Sequence, residues 1–163
     1  YLSGEHITDF TSGRPLFARL PDARLNAANF MRTQLFGVFA SLRIGMDILT
    51  DGESVKIDNL NGHGGFFRVE GAGQRIMAAA LRTPVTVMET AGDGGPWGMA
   101  LLAAYMAQKS GGETLADYLT QRVFADSRRA TVVPDAAEMA GFDAYRARFS
   151  KLLDAERAAL EIR

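Results

Sequence analysis

Between residues 26 and 50 the apolar positions Ala28, Met31, Leu35, Val38, Leu42, Met46 and Leu49 recur at steps of three and four. That spacing lays a single stripe along a helix, so one long amphipathic helix is expected from Asn26 to about Thr50. Phe30, Phe36 and Phe39 widen the stripe, which implies cover on more than one side. Gly37 and Gly45 inside it each cost about 1 kcal/mol relative to Ala, and so point to close approach by a neighbouring element. Asp51-Gly52 closes the helix as a turn. Upstream, Tyr1 to Arg14 shows no sustained period and reads as loop, and Pro15 to Leu20 reads as a short edge strand.

Past the helix the period changes. Val55 to Leu60 alternates apolar and polar positions, a strand signal, and runs into Asn61-Gly62-His63-Gly64-Gly65. A helix follows from about Ala72 to Arg82 and is stopped by Pro84. Val85 to Met88 is β-branched and apolar, the mark of a buried strand, and ends at a second cluster, Gly92-Asp93-Gly94-Gly95. Another helix leaves that cluster from Pro96 to Gln108, with proline at a favoured first-turn position. Strand, glycine turn and helix thus occur twice, which predicts an α/β fold with parallel strands, crossover helices and both glycine turns on the carboxyl edge of the sheet. Thr114-x-x-Asp117 has the spacing of a capping box for a helix reaching Val123, and Ala130 to Val133 reads as a last strand. From Asp135, a closing helix carries Phe142, Tyr145, Phe149, Leu152 and Leu153, with a break expected at Gly141.

Composition narrows the function. The chain has 163 residues, 47% apolar and 23% charged, enough for one domain with a proper core. Eighteen Lys and Arg against nineteen Asp and Glu leave a formal charge of −1, so no field draws it to nucleic acid or an anionic membrane. The absence of cysteine excludes a disulfide scaffold, a zinc ribbon and a thiol nucleophile. His6 and His63 are too far apart in sequence to suggest an imidazole metal site, and no metal ligands are assigned. The longest apolar run, Met99 to Ala107, is under half of the roughly 20 residues a spanning helix needs. No secretory leader opens the chain, so cytoplasm is the expected location. The chain starts at Tyr1 rather than Met, which suggests a piece of a longer protein.

The glycine clusters carry the candidate chemistry. A glycine turn between strand and helix aims backbone N–H groups and the positive helix end at an anion, for which phosphate is the natural guest. No Lys-Ser or Lys-Thr follows the first cluster, so it is not a P-loop. In Gly62-x-Gly64-x-x-Phe67, phenylalanine takes the place of the third glycine of a dinucleotide fingerprint, although Glu89 falls where a ribose-binding acid belongs. Phe66 and Phe67 suit either stacking on a base or the core. Asp93 suits a nucleotide hydroxyl or a helix cap, and Trp97 and Met99 read as core. No nucleophile and base fall in a recognisable arrangement, so no catalytic residue is assigned.

Four segments taken together resemble the carboxyl-terminal lobe of the FGGY carbohydrate kinases, on the ribulokinase and xylulokinase side. They are Asn61 to Phe67, Gly73 to Leu81, Pro84 to Thr90 and Gly95 to Ala104. Upstream, Tyr1-Leu2-Ser3-Gly4-Glu5 and the stretch from Phe30 to Leu42, through Arg32 and Gly37, are similar to further family segments, as are Pro134-Asp135 and Phe142 to Tyr145 downstream. The resemblance implies a lobe of the ribonuclease H-like, actin-like ATPase fold, with residues 1–133 as a partial nucleotide-binding lobe and 134–163 as its closing helix. It implies ATP and Mg²⁺ as cofactors, a sugar as phosphoryl acceptor, and cofactor contacts from Gly62, Gly64, Gly65, Phe66, Asp93 and Gly98. Gly64 and Gly65 would carry the adenosine and α-phosphate end, Phe66 would sit at the lip, and Gly98 would line the adenine. Phe66-Phe67 stand where the family has small residues, and Arg68-Val69-Glu70 looks like an insertion.

In the family the catalytic aspartate, the sugar pocket and most Mg²⁺ contacts lie in sequence before Tyr1, so this chain alone is not expected to phosphorylate a sugar. The first strands of the lobe would precede Tyr1 as well. The exposed sheet edge so left would favour a homodimer or a swapped assembly, which a monomer in light scattering would refute. Two other readings stay open: a dinucleotide-binding oxidoreductase domain resting on Glu89, and a non-catalytic interaction domain.

Overall fold

The computed structural model describes residues 1, 3–69 and 71–162, and of Asp93 the backbone alone. Leu2 and Glu70, which belong to the first resemblance segment and to the insertion, lie outside the described residues. The chain forms two compact units, one of Tyr1–Asp58, Ile76–Thr83 and Pro134–Arg163, the other of Asn59–Arg75 and Pro84–Val133.

In the first unit, helix α1 spans Ala27–Asp47. Asn26 caps it, its Oδ1 accepting from the Asn29 N–H at 2.8 Å, which satisfies one of the amides a helix start leaves unpaired. The last helix of the chain, α5 (Ala136–Leu160), is capped by Asp135, whose Oδ1 accepts from the amides of Ala137 and Glu138 at 3.0 and 2.9 Å. The two helices pack through aromatic rings. Phe36 meets Phe142 and Tyr145 edge-on, with centroids 5.3 Å away in each case, an arrangement that sets the positive edge of one ring against the negative face of another. Phe142 is fully buried, as are Phe10, Phe39, Ala40 and Phe149 for practical purposes.

A charged clamp ties the packing together. Asp47 Oδ1 lies 2.5 Å from Arg43 Nε and Asp47 Oδ2 lies 2.5 Å from Arg146 Nη2. Arg43 also donates to the carbonyl of Ala80 at 2.9 Å. Gly141 does not interrupt α5. It faces open space, so the missing side chain leaves no gap in the packing and the backbone runs on as helix.

Burial pushes the Tyr145 phenol above its ordinary pKa. The folded state therefore holds its proton to higher pH than the unfolded chain does. The stability this contributes is complete below about pH 10 and is lost as pH rises through the folded pKa. Tyr145→Phe is expected to flatten the fall in Tm above about pH 10, with neutral-pH stability changed by no more than about 1 kcal/mol. An unchanged alkaline limb in a pH series of melts would contradict this.

Two expectations for this unit are corrected and a third is narrowed. Pro15 to Leu20 is not a strand. Tyr1 and Leu16 exchange two backbone hydrogen bonds of 3.0 and 3.1 Å, and the ladder goes no further because Pro15 and Pro21 bracket the segment with positions that cannot donate. Helix α1 is covered on more than one side only around Phe39, Ala40 and Ser41, three successive buried positions that span about 200° of its circumference, while Met31, Val38 and Leu42 stay exposed. Gly37 and Gly45 do not mark an unusually close approach. A Cβ at either would sit 3.5 to 3.6 Å from Tyr145 or Ile7, an ordinary contact.

In the second unit, the described residues form a three-stranded sheet in the order β1 (Leu60–Gly62), β2 (Val85–Met88), β3 (Arg129–Val132). β1 and β2 are parallel, with Leu60 opposite Val85 and Gly62 opposite Val87. β3 is antiparallel to β2, with Val85 opposite Val132 and Met88 opposite Arg129, which corrects the expectation of parallel strands throughout. The register puts Leu60, Val85 and Val132 on one face. Asn61, Thr86 and Thr131 occupy the other, where the Thr86 hydroxyl is 2.8 Å from that of Thr131.

The expected strand over Val55 to Leu60 begins only at its last residue. Ser54 has a φ of 55°, and the Val55 amide is spent on the Leu49 carbonyl at 2.9 Å, closing the wide π-type turn Ile48–Gly52 after α1. Helix α2 (Ala72–Leu81) connects β1 to β2, and its buried Gln74 donates to the carbonyls of Val85 and Ala130 at 3.1 and 2.8 Å, stapling β2 to β3. Helix α3 (Gly94–Gln108) follows β2, and then the short α4 (Leu115–Tyr118), capped by the Thr114 hydroxyl. α3 is apolar around most of its circumference, yet none of its residues is fully buried. Met99, expected in the core, is 71% exposed. No helix among the described residues is long and apolar enough to cross a membrane.

Candidate functional site

The two glycine turns meet. β1 and β2 are parallel neighbours, so both turns leave the same edge of the sheet. The Gly64 N–H donates to the Ala91 carbonyl at 2.7 Å, joining the first turn to the second. A Cβ on Gly94 would come within 3.4 Å of the Gly64 Cα, so the backbones lie close where they cross. Both glycines hold positive φ, +101° at Gly64 and +49° at Gly94, conformations that side chains with a Cβ rarely adopt. On the outer side of this junction Gly65 opens a 3₁₀ turn, Gly65–Arg68, while Gly95 and Gly98 lie in the first turns of α3. A Cβ at Gly65, Gly95 or Gly98 would meet nothing within 4 Å, so each of these positions is open.

The sequence-predicted residues do not all lie there. Gly64, Gly65 and Gly98 belong to the turns and to α3. Gly62 is buried in β1 beneath Phe67, whose ring would lie 2.5 Å from a Cβ there; its lack of a side chain makes room for that ring. Phe66 packs edge-on against Phe67 at 5.2 Å and over Gly73, leaving 40% of its surface exposed. The Asp93 backbone closes the short turn before α3, and its side chain lies outside the described residues. His63 and Glu89 are exposed, and the Glu89 amide is spent on the Arg128 carbonyl at 3.2 Å.

Two buried polar atoms near the turns were not foreseen from sequence. Trp97 Nε1, on the first turn of α3, and Thr90 Oγ1, just after β2, have no hydrogen-bond partner. Nothing in the local pattern marks them, since burial without a partner depends on the fold around each atom. Arg68 also bridges the turns, its Nε donating to the Gly92 carbonyl at 3.3 Å.

The arrangement offers an anion the amides of a glycine turn and the positive end of a 15-residue helix. Among the described residues no group of three or more acidic or histidine side chains is close enough to hold a metal. A cavity of about 940 Å³ lies elsewhere, wholly in the first unit. Volume alone does not choose between the two places. The glycine turns are the place where a strand-to-helix turn and the start of a long helix come together.

An α/β unit of parallel strands with its glycine turns at their carboxyl ends is the general frame. Residues 1–107 match the model of the C-terminal domain of the FGGY family of carbohydrate kinases, and the chain belongs to that family. In structure it is similar to xylulose kinase from Rhodospirillum rubrum, with a TM-score of 0.58 and 23% identity over 86% of this chain. It spans 27% of the length of that enzyme, and the likeness at this identity concerns the fold. No curated protein matches the chain.

Proposed function

We propose that this lobe binds ATP through the paired glycine turns, and that the protein it serves transfers the γ-phosphoryl group of Mg-ATP to a hydroxyl of a ketopentose. The single observation carrying the nucleotide reading is the junction of Gly64 with Ala91 and Gly94, with Gly65 and Gly95, the residues next in sequence, both open. A Cβ at Gly65, Gly95 or Gly98 would meet nothing within 4 Å, so close packing at the Cβ does not call for glycine there.

In this reading the Gly65 amide holds the α-phosphate, the Gly64 amide being engaged by Ala91, and the start of α3 adds its positive end. Gly98 leaves room for a flat purine, with Phe66 at the margin. When bound, Mg²⁺ would supply neutralisation of the phosphate charge, and no residue of this chain is assigned to it. The chain's own part is to bind and orient, which is most of what phosphoryl transfer asks of a protein. Family membership decides against the oxidoreductase alternative. The ketopentose specificity rests on the resemblance and on the fold shared with a xylulose kinase.

Calorimetry with ADP, with and without Mg²⁺, tests the site. Gly65→Val and Gly98→Leu are each expected to weaken ADP by roughly tenfold or more, about 1.4 kcal/mol. Gly98→Leu should also raise Tm slightly, because leucine is the better helix former by up to about 1 kcal/mol. Affinity unchanged in both variants would remove these glycines from the site.

A further inference from the structure

The 940 Å³ cavity of the first unit is not used by the reading above. The irregular segment from Pro15 to Leu25 supplies one part of its lining, the amino-terminal half of α1 another, and α5 the third. Phe17, Leu20, Leu25 and Phe30 line it and are between 43% and 60% exposed, a concentration of large apolar side chains at one place. Phe17 and Phe30 meet at 5.4 Å, forming an aromatic wall. The charged residues of the lining are Arg19, Arg24, Arg148 and Lys151, all cations, and no carboxylate joins them. Among the described residues none of the four is ion-paired. Arg148 and Lys151 stand three apart on α5 and so share one face of that helix.

Apolar walls of this extent with cations of a single sign define a ligand with two ends. We propose that the cavity binds an amphipathic anion, with an aliphatic or aromatic body seated among Phe17, Leu20, Leu25 and Phe30 and a carboxylate, phosphate or sulfate head held by the four cations. The volume falls within the range of small-molecule sites, about 300–1,000 Å³. A neutral apolar ligand would leave the cations without a role, and a cationic one would be repelled by them. The site lies within one compact unit, so it stands or falls independently of nucleotide binding at the glycine turns.

The test is a fluorescence titration of the chain with dansylaminoundecanoate, followed by competition with dodecanoate, dodecanol and dodecylammonium, all below their aggregation limits. Saturable binding of one probe per chain is expected, with dodecanoate displacing it about tenfold better than dodecanol and dodecylammonium displacing it least. The double variant Arg148→Glu/Lys151→Glu, at two exposed positions, should abolish the preference for carboxylate over alcohol while dodecanol binds as before. Probe binding that does not saturate up to about 1 mM overturns the proposal, as would equal displacement by the three competitors or an unaltered order in a folded double variant. The competitor series on the unaltered chain decides the matter even if the variant does not fold.

Discussion

Replacing Phe142 by alanine is expected to lower the unfolding free energy of the first unit by roughly 3–5 kcal/mol, the range for removing a buried aromatic ring from a core that cannot close over the gap. The ring has no solvent exposure and is met edge-on by Phe36, so the deletion removes an apolar side chain, an aromatic pair and the main link between α1 and α5. Collapse into the space is limited, because Tyr145 and Phe149 on the same helix already engage other rings. Phe142→Leu keeps most of the volume and should cost less than half as much. Urea melts followed by far-UV circular dichroism report this directly, since the two longest helices both belong to this unit. A loss below about 1 kcal/mol for Phe142→Ala would mean that the helices are held mainly by the Asp47 clamp.

Gly64→Ala should damage the second unit and nucleotide binding together. At φ +101° and ψ 176° the residue occupies a region reserved for glycine, and strain there costs on the order of 1–3 kcal/mol. Added bulk is not the difficulty, since a Cβ at Gly64 would meet nothing within 4 Å. The backbone would instead have to rotate, breaking the hydrogen bond to Ala91 and separating the turns. Trp97 is the sole tryptophan and lies in this unit, so its fluorescence reports the unfolding. A midpoint shift equivalent to about 1–3 kcal/mol is expected, with ADP binding lost. The contrast with Gly65→Val separates two roles for adjacent glycines, one conformational and the other a matter of access for a ligand. An alanine variant as stable as the parent would show that the turn does not need its left-handed residue.

The parts of the fold legible in the sequence were those set by local chemistry. The Thr114–Asp117 pair was read as a cap, and Asn26 and Asp135 as helix starts, where the side-chain oxygen of each reaches an amide two or three residues on. β2 was legible to its ends, a β-branched run between Pro84 and a turn. The meeting of the glycine turns followed from parallel strands alone. What sequence did not disclose depends on distant partners. Gln74 looks like any helix-surface amide, yet it is buried because two carbonyls on different strands lie in reach. β3 runs antiparallel although its composition carries no direction. Gly62 is glycine because a ring five residues later lies over it, and Asp47 matters because Arg146 comes back to it from the far end of the chain. Met99 misled for a related reason. An apolar helix predicts burial only when something covers it, and the described residues leave that face open.

The central claim is that backbone amides at the crossing of two glycine turns form the seat for ATP. Amide-resolved NMR during an ADP titration tests it most directly. Saturable shifts are expected at Gly64, Gly65, Gly95 and Gly98, with the residues around Phe17 and Phe30 undisturbed. Shifts concentrated in that cavity instead, or none at millimolar ADP, would contradict it.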